Sequence, residues 1–141
     1  MDKEIFHKEI DLIQACITRM ANNSFLLKGW SITIIAVVLA LADKAGNPAL
    51  LSAILLIPLL SFWYLDAFFL RTEKMYRKMY EWIIVNRPKK IKEHLYDLNP
   101  HRFSNEVDSK WKVMWSVTLR YFYGIPFLIT LAIIIYRIIK C

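Results

Sequence analysis

Arg87 and His94 are separated by six residues, Pro88-Lys89-Lys90-Ile91-Lys92-Glu93. An imidazole that exchanges a proton, beside a guanidinium that holds a phosphate, is the minimum for metal-free phosphodiester chemistry. The same stretch is rich in basic residues, so an Arg–His spacing of this kind arises easily by chance. Arg87 and His94 are therefore the only catalytic candidates, and the expectation is that the chain is not an enzyme. His7 and His101 read as surface residues. The cysteines, Cys16 and Cys141, are too few and too far apart for a disulfide framework, and no Cys-x-x-Cys spacing occurs. No metal site and no cofactor are expected.

A second chemistry lies in charges placed where charge is costly. Lys28 interrupts an otherwise uncharged run from Met20 to Ala42, and Asp66 directly follows the uncharged run from Ala45 to Leu65. A Lys or Asp near a bilayer core is expensive unless it is paired or reaches the interface. If the two runs form an antiparallel hairpin, Lys28 and Asp66 lie at similar depth, and a salt bridge within or between subunits is expected. Asn23 and Ser24, one turn before Lys28, are polar neighbours for the same neighbourhood. The hypothesis assigns Asn23, Ser24, Lys28 and Asp66 to intramembrane pairing or oligomerisation.

The elements that must position these residues follow from hydropathy. Of the 141 residues, 57% are hydrophobic, above the 45–50% usual for soluble domains. The Ala45–Leu65 run is 21 residues long, enough to span a bilayer. Pro58 inside it predicts a kink. The run Tyr121–Tyr136 forms a third span, opened by the aromatic belt Tyr121, Phe122 and Tyr123. Asp43-Lys44-Ala45-Gly46-Asn47-Pro48 reads as a tight turn between the first two spans. Ahead of them, Ile5, Ile10, Ile13, Cys16, Ile17 and Met20 fall near one stripe at helical spacing, and Asn22-Asn23-Ser24 is a place for that helix to break or bend. The fold class expected is all-α: an N-terminal amphipathic helix (1–23), a transmembrane hairpin (24–70), a long basic helical lobe (71–120) and a third C-terminal span (121–141).

Orientation follows from the loops. Between Arg71 and Arg120 stand 12 basic and six acidic residues, so this segment carries nearly all of the chain's net charge of +7. The positive-inside rule places it and the N-terminus in the cytoplasm, with the Gly46-Asn47 turn outside. Within the lobe, Met75, Met79, Trp82 and Ile83 recur at helical spacing, Asn86-Arg87-Pro88 ends the helix, and Asp97-Leu98-Asn99-Pro100 is turn chemistry. Ser104 or Asn105 caps a last helix through Trp111, Trp115 and Leu119 into the third span. Arg87, Lys89, Lys90 and Lys92 form a basic cluster suited to anionic lipid, at ~1 kcal/mol per basic residue near the surface, or to RNA.

The stretch Arg19-Met20-Ala21-Asn22-Asn23-Ser24-Phe25-Leu26-Leu27-Lys28-Gly29-Trp30, followed after the second span by Asp66-Ala67-Phe68-Phe69-Leu70-Arg71-Thr72-Glu73, Tyr76-Arg77 and Met79-Tyr80, and then by Asp97-Leu98-Asn99-Pro100, carries a resemblance. It is similar to SLATT-type small membrane effectors of bacterial antiphage systems and to the small membrane accessory protein of type VI-B CRISPR systems. The third hydrophobic run is additional to a two-span plan. The resemblance implies an oligomeric effector of the bacterial inner membrane that permeabilises or depolarises it during infection. Its alternative implication is an accessory that binds RNA or a partner nuclease through the basic lobe. The Arg87–His94 spacing also resembles the Arg-x(4–6)-His motif of HEPN ribonucleases, although Pro88 stands where that family has a small polar residue. The partners expected are membrane lipid, further copies of the chain, and a defence-system protein or RNA.

Overall fold

The structure, a computed structural model, describes residues 2–140 apart from 43 and 45. Two members of the expected turn, Asp43 and Ala45, and the terminal Cys141 lie outside the described residues. Four α-helices and one 3-10 turn follow in order: α1 (Lys3–Ala42), α2 (Pro48–Asn86), the 3-10 turn (Pro100–Phe103), α3 (Lys110–Met114) and α4 (Val117–Lys140). No strand occurs among the described residues. Helices α1, α2 and α4 are each long and apolar enough to cross a membrane.

Helix α1 is unbroken over 40 residues, so of the two alternatives at Asn22-Asn23-Ser24, a break or a bend, the break does not occur. Ser24 is turned inward into a hydrogen bond with α2, and Met20 and Leu27 are buried on either side. Tertiary packing thus overrides the weak helix preference of Asn and Ser. The boundaries at 23/24 and 70/71 are changes of surroundings, not of backbone. Helix α2 runs through 39 residues with Pro58 inside it. Asn47 starts it by accepting a 3.1 Å hydrogen bond from Leu50 N, and Pro48 occupies the first turn, where no N–H is needed.

α1 and α2 lie antiparallel along their length, and the core built on α2 divides into two regions. Near the charged ends, Ile13 and Met20 of α1 meet Met75, Tyr76, Met79 and Ile83 of α2, with Phe103 of the 3-10 turn closing the core. These are the two stripes the sequence predicts, and burying each such side chain contributes about 1.5–3 kcal/mol. The second half of α2 and Phe103 thus pack on the first half of α1, while α3 packs on α2. Further along, Leu59, Trp63 and Ala67 of α2 meet Val113 of α3 and Leu119 and Tyr123 of α4.

The last helix departs from expectation at its start. Ser109, not Ser104 or Asn105, is the cap, accepting from Lys112 N. Residues 104–108 are held back by Arg71, which donates to the carbonyls of Ser104 (3.1 Å) and Asp108 (2.9 Å). The helix then breaks at Trp115-Ser116 before α4 begins. At that break the Met114 carbonyl accepts from the Trp63 indole N–H at 2.9 Å, so a carbonyl near the break is not left unsatisfied.

Large apolar side chains point outward from all three long helices, among them Phe25, Ile32 and Leu39 of α1, Ile57 of α2, and Leu128 and Ile139 of α4. A soluble monomer rarely exposes such continuous apolar surface. Lipid around the three helices accounts for it, and the protein is a membrane protein.

Candidate functional site

Asp66 is 0% exposed at the junction of α1, α2 and α4. Helical geometry brings the partners there. Ser24 and Lys28 are one turn apart on α1 and share a face, and α1 packs antiparallel to α2 at that height. The break at Trp115-Ser116 sets α4 so that Tyr123 points at the same carboxylate. Ser24 Oγ donates to Asp66 Oδ1. Lys28 Nζ donates to Asp66 Oδ2 at 2.6 Å and to Ser24 Oγ at 2.8 Å, and the Tyr123 hydroxyl donates to Asp66 Oδ2 at 2.9 Å.

Three donors from two neighbouring helices thus converge on one carboxylate, and a single positive charge compensates it. The Lys28–Asp66 bridge joins α1 and α2 of one chain. The pairing expected from sequence is present within the protomer and does not require a second copy. Asn23 is half-buried and does not join the cluster. Tyr123 joins it without having been anticipated. Its hydroxyl, inside an otherwise apolar run, needs a partner, and that requirement was the available signal. Chemically the cluster is a saturated ion pair: it holds three spans in register at the depth where their apolar runs begin.

A second buried ion pair lies at the other end of the α1–α2 contact. Arg87, following the last turn of α2, donates from Nε and Nη2 to the two oxygens of Glu9, each at 2.8 Å. Its Nη1 donates to the carbonyls of Ile91 (2.7 Å) and Glu93 (2.8 Å). Both side chains are essentially unexposed. Four of the five donors of the guanidinium are therefore used. This corrects the placement of Arg87 in a surface cluster: it is not presented to lipid or RNA, and little of it remains for a phosphate. Glu9 was missed by the sequence reading. It lies at helical spacing with Ile13, Cys16 and Met20, and an acid on an apolar stripe is a signal for a buried partner.

His94 is exposed, with Nδ1 3.6 Å from Asp97 Oδ2 and its ring edge-on to Trp82. Lys89, Lys90 and Lys92 are exposed, as expected for a basic surface. The loop carrying them is tightly wound: Lys90, His94 and Tyr96 all have positive φ, 63°, 54° and 58°. Each such non-glycine residue costs roughly 1–2 kcal/mol, and the Arg87 bonds to the Ile91 and Glu93 carbonyls brace that conformation. The Trp82 indole lies 5.3 Å from the Arg87 guanidinium and 5.0 Å from that of Arg102. Burial pushes the Arg102 guanidinium below its ordinary pKa, and its three nitrogens have no hydrogen-bond acceptor among the described residues. No group of three or more potential metal ligands occurs among the described residues.

No protein-family model matches this chain, and neither a curated protein nor a solved structure matches it.

Proposed function

We propose that the protein is an oligomeric effector of the bacterial inner membrane that permeabilises or depolarises it, in the manner its resemblance to SLATT-type effectors implies. The observation that carries this reading is a stripe on α1. Gly29, Thr33, Ala36 and Ala40 are spaced one turn apart and all face outward, and the space beyond Gly29 is open. Small residues at this spacing let a second helix approach closely. Ser31, between Gly29 and Thr33 in sequence, is instead buried and bonded to the Leu27 carbonyl at 2.8 Å.

Three spans from one chain cannot enclose an aqueous path, so conduction requires several copies. The Asp66 cluster supports this assembly by making each copy a fixed unit, with its charge compensated before any interface forms. The basic segment and the N-terminal half of α1 lie in the cytoplasm, and the Gly46-Asn47 turn lies outside. The reading requires no catalysis, and the pairing of Arg87 with Glu9 supports it by taking up one of the two candidate catalytic residues.

The test is reconstitution into vesicles carrying a potassium diffusion potential. Collapse of the potential with a steep dependence on protein-to-lipid ratio supports the reading. Vesicles that hold their potential at every ratio, with the protein correctly inserted, overturn it.

A further inference from the structure

Beside the Trp115-Ser116 break, α2, α3 and α4 enclose a groove of about 570 Å³. Its walls are almost wholly apolar. Trp63 forms the back, stacked on Tyr123 with ring centroids 6.3 Å apart, and Trp115 meets it edge-on at 5.5 Å. Leu128 lines the deep end, within the α4 span, while Trp111 lines the end at α3. Gly124 leaves the floor open, since nothing lies within 4 Å of where its side chain would be.

Arg120 stands at the rim of this groove. Of the neighbouring cations, Lys112 pairs with Asp108 at 2.8 Å, Arg71 holds two carbonyls, and Lys110 lies over the Tyr64 and Phe68 rings; Arg120 is the cation that lines the groove itself. Arg120 lies over the Tyr121 ring at 5.2 Å and pairs with no carboxylate among the described residues. A guanidinium with unused donors suits a phosphate ester. The exposed indoles of Trp111 and Trp115 suit the headgroup level.

We propose that this groove binds one anionic phospholipid, its headgroup phosphate on Arg120 and an acyl chain along Trp63 and Gly124. The site is separate from the Lys89, Lys90 and Lys92 surface, which lies beyond the far end of α2. It rests on the protein's being a membrane protein and not on permeabilisation. An apolar groove of this length selects a lipid over a free phosphate, and the unpaired Arg120 selects an anionic lipid over a zwitterionic one.

The test is native mass spectrometry of the protein released from nanodiscs of equal parts phosphatidylglycerol and phosphatidylcholine. The wild type should retain phosphatidylglycerol in preference. Arg120→Gln should lower that preference about fivefold, the size of one basic group's contribution at an anionic surface, whereas Arg120→Lys should keep most of it. Gly124→Leu fills the groove and should reduce retention of both lipids while leaving helicity unchanged. Inorganic phosphate should not displace the bound lipid. No preference in the wild type overturns the proposal, as does a preference that survives Arg120→Gln but is lost on combined Lys89, Lys90 and Lys92→Gln. Lipid retention unchanged in Gly124→Leu, with an altered copy number instead, would assign the groove to a second chain and also overturn it. Vesicle leakage does not enter this readout, so failure of the proposed function leaves it independent.

Discussion

Glu9, near the start of α1, and Arg87, just past the end of α2, are joined by two parallel hydrogen bonds of 2.8 Å while almost fully buried. Their counterpart is the Lys28–Asp66 bridge, nineteen residues further along α1 and twenty-one residues back along α2. At ~1.5 Å per residue the two pairs are about 30 Å apart along the helices. The hairpin is thus pinned in one register at two points, one where its apolar runs begin and one at its charged end. A slip of either helix by one turn would strand all four charges without partners.

The Glu9–Arg87 pair leads to the largest expected stability effect. Arg87→Ala leaves a buried carboxylate uncompensated and releases the wound loop, so it should cost about 3–5 kcal/mol. Replacing both residues together, Glu9→Leu with Arg87→Met, should cost less than Arg87→Ala alone. Thermal unfolding of the detergent-solubilised protein measures both, and equal losses in the two variants would contradict the buried-pair account.

Tyr123→Phe removes one of three donors to Asp66 and should destabilise by about 1 kcal/mol. Asp66→Ala, which strands Lys28, should cost several times more, ~3–5 kcal/mol, and Lys28→Ala should behave similarly. Because the bridge lies within one chain, these losses should appear in protomer unfolding as well as in assembly. The exchange Lys28→Asp with Asp66→Lys should recover part of the loss. Size analysis beside thermal unfolding checks this, and normal stability with selective loss of oligomer would place the pairing between chains instead.

Close packing through the α1 stripe predicts that Gly29→Ile with Ala36→Ile lowers copy number and vesicle depolarisation together. The protomer should stay folded, since both positions face outward. Cross-linking in membranes reads the copy number, and full assembly in this variant would rule out the stripe as the interface.

His94→Ala should leave stability within about 0.5 kcal/mol, the cellular phenotype intact, and purified protein without RNA cleavage. Loss of phenotype at normal expression, together with cleavage by the wild type that the variant lacks, would reverse this expectation.

Cysteine labelling from outside intact cells should reach position 47 and not position 90, in a chain with Cys16 and Cys141 replaced by Ser. Labelling at 90 would invert the proposed orientation.

Hydropathy and periodicity alone determined the all-α class, the three long apolar helices, the apolar stripes of Ile13 and Met20 and of Met75, Met79 and Ile83, and the shared depth of Lys28 and Asp66. These are properties of one helix at a time, or of a hairpin whose turn is short, and the spacing of residues along the chain suffices to read them. Tertiary structure alone decided that Asn22-Asn23-Ser24 stays helical, that Arg87 is buried on Glu9 and unavailable as a surface contact, and that Tyr123 completes the Asp66 cluster. It also decided that the last helix starts at Ser109 and breaks at Trp115-Ser116, with Trp63 taking the Met114 carbonyl. Each of these depends on a partner tens of residues away, whose distance and angle local preference does not encode. A buried charge makes the point most sharply: its residue type announces that a partner is required, but only the packed helices determine which side chain is close enough to serve.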